Sequence, residues 1–192
     1  MSWKRTILPL IGLVVVLGLT QVPRLLQLAP QPAPIGGPFT LNDQAGRLVG
    51  DGDFRGRLML VYFGYTYCPD VCPTTLNQMM RAYNALGAEQ QSQVAPIFVT
   101  VDPERDNISQ MDQYVTSFSP ALIGLTGTPE QVAAIERGYH VYARKSGTGD
   151  TYTMDHSSII YLMGKDGRFL RHFNGDAKDE EIADGLRQAL HG

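Results

Sequence analysis

The chain has 192 residues, of which 43% are hydrophobic and 18% are charged, with a formal net charge of −3. This length fits one globular domain plus an appendage, and the composition is sufficient for a packed core. The slightly acidic balance offers no basic field, which argues against nucleic acid as a partner. With only two cysteines the chain cannot form a disulfide-dense scaffold, so its hydrophobic core must stabilise the fold.

Residues 1–26 are predicted to form an N-terminal membrane anchor. Lys4 and Arg5 precede the apolar run from Ile7 to Leu19. Because basic residues stay on the cytoplasmic side, the rest of the chain is expected outside the cytoplasm, where disulfides are permitted. The alternative is a cleaved signal peptide, but no clear small-x-small cleavage site follows Leu19, which favours an uncleaved anchor.

After the anchor, residues 27–38 are rich in proline and glycine and predict an extended linker. Residues 39–192 then form the predicted domain. The segments 39–41 and 47–49 flank a turn and predict an N-terminal hairpin. A second hairpin is predicted from segments 158–163 and 168–173, which flank Gly-Lys-Asp-Gly.

Strands and helices alternate through the middle of the domain. An apolar run starting at Leu58 predicts a strand buried on both faces. Further strands are predicted at 94–101, 121–125 and 139–144, and helices at 73–86, 109–118, 129–137 and 179–190. Alternating elements followed by an antiparallel hairpin and a last helix predict an α/β fold, a mixed sheet with helices on both faces.

Local signals mark several helix ends and loops in this pattern. Thr128 is a predicted N-cap, and Gly138 is the expected C-cap of the same helix. The segment 102–106 is expected to be a loop with solvated charges, although its position at a strand end also allows a place near the cysteines. Residues 145–152 are predicted to be a polar loop.

The two cysteines of the chain follow the first buried strand. Pro73 fits the first position of a helix, which places Cys72 near the N-cap and Cys68 in the preceding loop. A helix N-terminus stabilises a thiolate, the form that acts as nucleophile and as metal ligand. A structural disulfide or two inert buried thiols are the alternatives.

Four histidines are present, at positions 140, 156, 172 and 191. His156 stands between Asp155 and the pair Ser157 and Ser158, groups that can orient an imidazole ring by hydrogen bonds. A lone histidine is more often an ordinary surface or core residue than a ligand, so this pattern alone does not assign His156 a function.

The motifs in combination resemble the Sco (SenC) family of copper chaperones. The resemblance runs from Gly36 to Phe173 and rests on five segments: Gly-Pro-Phe at 37–39, Phe-Gly-Tyr-Thr-Tyr-Cys-Pro-Asp-Val-Cys-Pro at 63–73, Val-Asp-Pro-Glu-Arg-Asp at 101–106, Leu-Thr-Gly-Thr at 125–128 and Asp-His-Ser at 155–157. The resemblance implies a thioredoxin-like fold, an N-terminal anchor in the bacterial inner membrane and a domain in the periplasm. It also implies a copper site of Cys68, Cys72 and His156, and a role in assembling the binuclear copper centre of cytochrome c oxidase subunit II.

Two thiolates and one imidazole form a soft, low-coordinate set that suits Cu(I), whereas structural zinc would require a fourth ligand. Two other functions remain open at this stage. Cys68 and Cys72 could cycle between thiols and a disulfide and reduce the cysteines of a copper acceptor. A peroxide-reducing relative of the same fold is the third possibility, although no separate motif indicates it.

Overall fold

The computed structural model describes residues 33–191, apart from the side chain of Asp150. The predicted anchor, residues 1–26, and the first half of the predicted linker, residues 27–32, lie outside the described residues. Among residues 33–191, no helix is both long enough and apolar enough to cross a membrane.

Nine strands and five α-helices make up the described fold, together with two short 3-10 helices at Asp51–Phe54 and Gly149–Thr151. The strands are β1 Thr40–Asp43, β2 Leu48–Gly50, β3 Leu58–Gly64, β4 Val94–Thr100, β5 Ile123–Thr126, β6 Ala143–Ser146, β7 Thr153–His156, β8 Ile159–Met163 and β9 Phe169–Asn174. The helices are α1 Val71–Asn84, α2 Ala88–Gln91, α3 Ile108–Thr116, α4 Pro129–Tyr139 and α5 Asp179–His191.

Seven strands form one mixed sheet in the order β2-β1-β5-β4-β3-β8-β9. Strand β4 pairs in parallel with β3 and β5, and the other neighbours in the sheet are antiparallel. All residues of β3 and β4 are buried, as their near-continuous apolar sequences predict. Strands β6 and β7 form a separate two-stranded sheet, called here the ligand hairpin, residues 143–156.

Helices cover both faces of the large sheet. On one face Tyr114 of α3 packs against Phe98 of β4, with ring centroids 5.3 Å apart. On the other face Tyr139 of α4 packs against Phe63 of β3 at 5.2 Å. The mixed sheet flanked by helices that the sequence predicts is therefore confirmed.

Helix α4 begins as predicted and ends later than predicted. Thr128 accepts from the backbone N–H of Gln131, whose side chain accepts from the N–H of Thr128, so the capping box is present. The C-cap is His140, with φ of 55°, and not Gly138. Gly138 lies within the helix and contacts Gly36. The Gly36 N–H donates to the Gly138 carbonyl at 2.8 Å, and a Cβ on Gly138 would lie only 3.3 Å from the Gly36 carbonyl oxygen.

Candidate metal centre

Residues 65–70, called here the cysteine loop, follow β3 at the carboxyl ends of the parallel strands. Strands β3 and β4 end side by side there, with Gly64 paired to Thr100. Cys68 lies in the loop that follows, and Cys72 lies in the first turn of α1. The helix begins at Val71, two residues before the predicted start at Pro73, with Asp70 as its N-cap. That prediction was wrong because a proline fits anywhere in the first turn, where backbone N–H groups have no partner within the helix.

The two thiols are free and lie in different environments. Cys68 is half-buried, and its Sγ accepts from the Cys72 backbone N–H at 3.4 Å. Cys72 is fully buried. The pKa of Cys68 is lowered because the Cys72 thiol and that N–H donate to it, whereas the Cys72 pKa is raised by this donation and by burial.

His156 is the last residue of β7, and it faces the sulfur pair. Its Nε2 lies 3.4 Å from the Cys72 Sγ. Its Nδ1 lies 3.1 Å from the Ser157 carbonyl, and a carbonyl can only accept, so Nδ1 carries the proton. This hydrogen bond leaves the lone pair of Nε2 pointing toward the sulfurs, as a metal ligand requires.

The structure therefore brings together all three side chains that the sequence singled out. Sγ of Cys68, Sγ of Cys72 and a ring nitrogen of His156 all lie within 4.8 Å of one another. Among the described residues this is the one group of three such side chains close enough to hold a single ion. Its two sulfurs and one imidazole match the soft donor set that favours Cu(I).

Two tyrosines from the end of β3 and the start of the loop complete the surroundings of the centre. The buried Tyr62 hydroxyl donates to the Cys72 Sγ at 3.8 Å and lies 3.4 Å from the Ser158 Oγ. The Tyr65 ring meets the His156 ring edge-on, with centroids 5.8 Å apart. Neither tyrosine was predicted to belong to the site, because in the sequence both continue a buried apolar strand. What could have indicated them is that each carries a polar hydroxyl only a few residues before Cys68.

The segment 102–106 differs from the prediction that its charges are solvated. Asp102 is 3% exposed and Asp106 is fully buried. Asp106 accepts from the backbone N–H and the hydroxyl of Thr66, at 3.0 and 2.6 Å, and from the Thr100 hydroxyl at 2.6 Å. For the two aspartates the prediction was wrong. At Asp106, donors from Thr66 in the loop after β3 and from Thr100 at the end of β4 replace the water that a buried carboxylate loses. Asp106 thereby ties the cysteine loop to the end of β4. Glu104 of the same segment is exposed, as predicted.

Comparison with known proteins shows which family the chain belongs to. A family model described as SCO1/SenC matches residues 28–191. The chain belongs to the SCO1/SenC family. The resemblance to the Sco (SenC) family that the sequence motifs indicated is therefore confirmed.

Other SCO1/SenC proteins share the fold over nearly the whole described region. The structure of Bradyrhizobium japonicum ScoI with copper bound is 47% identical, with a TM-score of 0.75, and the match covers 81% of this chain and 99% of that one. BsSco, described as a member of the Sco family of cytochrome c oxidase assembly proteins with a disulfide switch, is 26% identical with a TM-score of 0.68, over 83% of this chain and 96% of that one. These likenesses confirm the thioredoxin-like α/β fold that the resemblance implied.

A curated SCO1/SenC relative is similar in sequence but longer. The Bos taurus protein SCO2 homolog, mitochondrial, is 42% identical over 157 residues, which cover 80% of this chain. The match covers 59% of the bovine protein, so this chain spans less than two thirds of that relative's length.

Proposed function

We propose that this protein is a copper chaperone that holds one Cu(I) ion on Cys68, Cys72 and His156. The ion is its cargo, and we infer that it is passed on to assemble the binuclear copper centre of cytochrome c oxidase subunit II. The observation that carries the proposal is the convergence of two sulfurs and one imidazole nitrogen within 4.8 Å. A copper-bound relative 47% identical to this chain supports the choice of metal.

The donor set suits transfer as well as binding. A lowered Cys68 pKa supplies a thiolate at neutral pH, and a thiolate is the form that binds soft cations. Three ligands leave Cu(I) open to attack by a further thiolate from an acceptor. The ion can then move between proteins without being released into water.

The surface beside the cysteines supports contact with a protein partner. Tyr67, which immediately precedes Cys68, is 55% exposed, and Val71, which immediately precedes Cys72, is 47% exposed. Exposed hydrophobic side chains beside a functional site are typical of surfaces that bind other proteins. With residues 1–26 as an anchor in the bacterial inner membrane, this surface would meet an acceptor in the periplasm.

Anaerobic titration of the purified, reduced full chain with Cu(I), in competition with a chromogenic chelator, tests the proposal. We expect one ion per chain, weaker binding after His156→Ala and loss of tight binding when Cys68 or Cys72 is replaced by serine. His172→Ala, on the β8–β9 hairpin, is the matched control and should bind like the wild type. A stoichiometry that is indifferent to all three residues would refute the proposal.

The alternative is a thiol–disulfide oxidoreductase that reduces the cysteines of a copper acceptor. One observation favours it: a thiol of lowered pKa lies beside a second thiol that donates to it, the arrangement that disulfide exchange needs. Insulin reduction by the full chain tests this function. Turnover like that of a thioredoxin, unaffected by His156→Ala, would promote it over copper delivery.

A further inference from the structure

Arg105 lies outside the metal centre but joins the two segments that supply its ligands. Its side chain is 15% exposed, and its Nε donates to Oδ2 of Asp102, which is 3% exposed. Its Nη1 donates to the backbone carbonyl of Tyr152 at 2.9 Å. Tyr152 immediately precedes β7, the strand that ends at His156. Arg105 therefore connects the loop after β4 to the ligand hairpin.

Three aromatic rings surround the same guanidinium. Its Cζ lies 3.6 Å from the ring centroid of Tyr152, 4.8 Å from that of Tyr67 and 5.7 Å from that of Tyr65. Tyr65 and Tyr67 belong to the cysteine loop, and Tyr65 is the residue whose ring meets His156 edge-on. A planar cation attracts aromatic faces, so one side chain holds the cysteine loop and the ligand hairpin together.

Two further contacts hold the Tyr152 side chain in place. Its hydroxyl donates to Oδ1 of Asp102 at 2.6 Å, so both carboxylate oxygens of Asp102 are used. The ammonium of Lys145 lies 3.7 Å from the Tyr152 ring centroid, and it pairs with Glu104 at 2.8 Å. The start of β7 is thereby clamped to the loop that contains Asp102 and Arg105.

The contacts among Arg105, Asp102 and Tyr152 matter because the ligand hairpin has no strand pairing with the large sheet in the described structure. Its position is therefore set by its two-residue connection to β8 and by hydrogen bonds and side-chain contacts. Tyr152 lies four residues before His156 in the chain. A displacement of Tyr152 would therefore also displace the His156 imidazole.

We propose that Arg105 is the positioning residue of the metal centre: held by Asp102 and stacked on Tyr152, it keeps His156 against the two sulfurs before the ion arrives. Without it, the ligand hairpin leaves the cysteine loop and the site is reduced to two thiolates. The inference rests on the proposed copper function for its affinity test, and a metal-free test stands beside it.

The metal-free test follows the ring protons of His156 by NMR in the reduced full chain. These protons sense the ring currents of Tyr62 and Tyr65, whose centroids lie 6.3 and 5.8 Å away. In Arg105→Gln we expect them to move toward the values of an unstructured peptide, while signals of the core ring Phe98 stay in place. Arg144→Gln, an exposed arginine on the ligand hairpin, is the control and should change neither. Unchanged His156 signals in Arg105→Gln would overturn the proposal.

The affinity test is a double-mutant cycle with His156→Ala, measured by Cu(I) competition. Arg105→Gln should weaken binding by about 10- to 100-fold, the range for residues that orient a metal ligand. In the His156→Ala background it should weaken binding less than about twofold further, because the residue it positions is gone. Equal losses in both backgrounds would mean a general structural role and would overturn the proposal.

Tyr152→Leu supplies a second variant in case Arg105→Gln does not fold. It removes the stacked ring and the hydroxyl without burying an unpaired charge, and we expect it to reproduce both effects. The two proposals fail separately. A chain that binds no Cu(I) refutes the chaperone function, while the NMR test still decides whether Arg105 positions His156.

Discussion

Cys68 and Cys72 stand four residues apart, yet their chemistry differs because of where the helix begins. The backbone N–H of Cys72 belongs to the first turn of α1 and donates to the Cys68 Sγ at 3.4 Å. The positive end of the helix therefore stabilises negative charge on the loop cysteine. Cys72 is fully buried and donates its own proton to Cys68, so its thiol form is favoured. We therefore expect Cys68 to be the more reactive thiol of the pair.

Alkylation by iodoacetamide should show this difference. Since the Cys68 pKa is lowered, the thiolate persists as pH falls below the ordinary thiol value of about 8.5. In the reduced, metal-free chain at pH 6 we expect Cys68 to react at nearly its pH 8 rate, and Cys72 to react at least about tenfold more slowly. Peptide mass spectrometry measures both rates, with the urea-unfolded chain as the control in which they become equal. Faster labelling of Cys72 would contradict this assignment.

Asp106 shows how a buried carboxylate stabilises the loop that carries the reactive thiol. Two groups of Thr66 and the hydroxyl of Thr100 donate to it, and its backbone carbonyl accepts from the Thr126 hydroxyl at 2.6 Å. Burial raises the Asp106 pKa, and these donors act against that rise. Removing the carboxylate would leave several buried donors without a partner.

Asp106→Ala should therefore lower the free energy of unfolding by about 2–4 kcal/mol, because hydrogen bonds to a buried charged group are lost together. Urea denaturation followed by circular dichroism measures the change. Asp112→Ala, an exposed aspartate on α3, is the control and should change stability by less than about 0.5 kcal/mol. Similar losses in the two variants would show that the Asp106 network contributes little.

At the scale of elements, the junction between β3 and α1 depends on close contact at Gly64. A Cβ at this position would lie 2.7 Å from the Cys72 Sγ and 2.9 Å from Cε2 of Phe98. Neither group has room to move, because Cys72 and Phe98 are both fully buried. The glycine that ends β3 thus allows the first turn of α1 to pack directly on the sheet.

Gly64→Ala should destabilise the fold by about 1–3 kcal/mol, the usual result of overpacking a core, and should weaken Cu(I) binding by displacing the Cys72 sulfur. Thermal unfolding and the Cu(I) titration measure the two effects. Gly52→Ala is the matched control, since a Cβ there meets nothing within 4 Å and the backbone does not require glycine. If Gly64→Ala were as stable as the wild type, α1 would be able to shift away from the new Cβ without any loss of stability.

Elements with a strong local signal were predictable, and those defined by distant contacts were not. Strands β3 and β4 are continuous apolar runs, and α4 carries a complete capping box, so each was predicted near its observed position. The ligand hairpin was predicted only in part. The strand expected at 139–144 overlaps β6 by two residues, but residues 145–152 were predicted to be a loop, and β7, Thr-Met-Asp-His, has no alternating apolar pattern. Tyr152 is buried in this hairpin by its contacts with Arg105 and Asp102, which lie about fifty positions earlier in the chain. Contacts over such a distance produce no periodic pattern in the sequence.

At the scale of the whole molecule, topology explains why Cys68, Cys72 and His156 come together. Because β3 and β4 are parallel, their carboxyl ends lie side by side at one end of the sheet. Strand β8 runs antiparallel to β3, with Ile160 opposite Tyr62, so β8 starts at that same end. The segment before β8 therefore delivers His156 to the cysteine loop. Spacing within the sequence could place Cys68 beside Cys72, but it could not place a histidine 84 residues later. That assignment came from the family resemblance.

Glu136 on α4 is expected to make the stability of the fold depend on pH. Its Oε1 is buried and, in the described structure, has no hydrogen-bond partner. Burial raises the pKa of Glu136 to about 7, and the charge of neighbouring Arg137 offsets only part of that rise. An unfolded glutamate has a pKa of about 4.3. Between these values the folded chain holds a proton that the unfolded chain releases.

The free energy of unfolding should therefore contain a component from Glu136 that falls as pH rises from about 4.3 to 7, with the full penalty present above pH 7. Glu136→Gln removes the ionisable group. We expect it to be more stable than the wild type at pH 8, on the order of 1 kcal/mol after allowing for solvent around a half-buried group, and equal to it near pH 4. Urea denaturation at pH 4, 6 and 8 measures the difference, and Glu89→Gln, at an exposed site on α2, should show none. A difference that is constant with pH would mean that the stability change comes from packing and not from ionisation of Glu136.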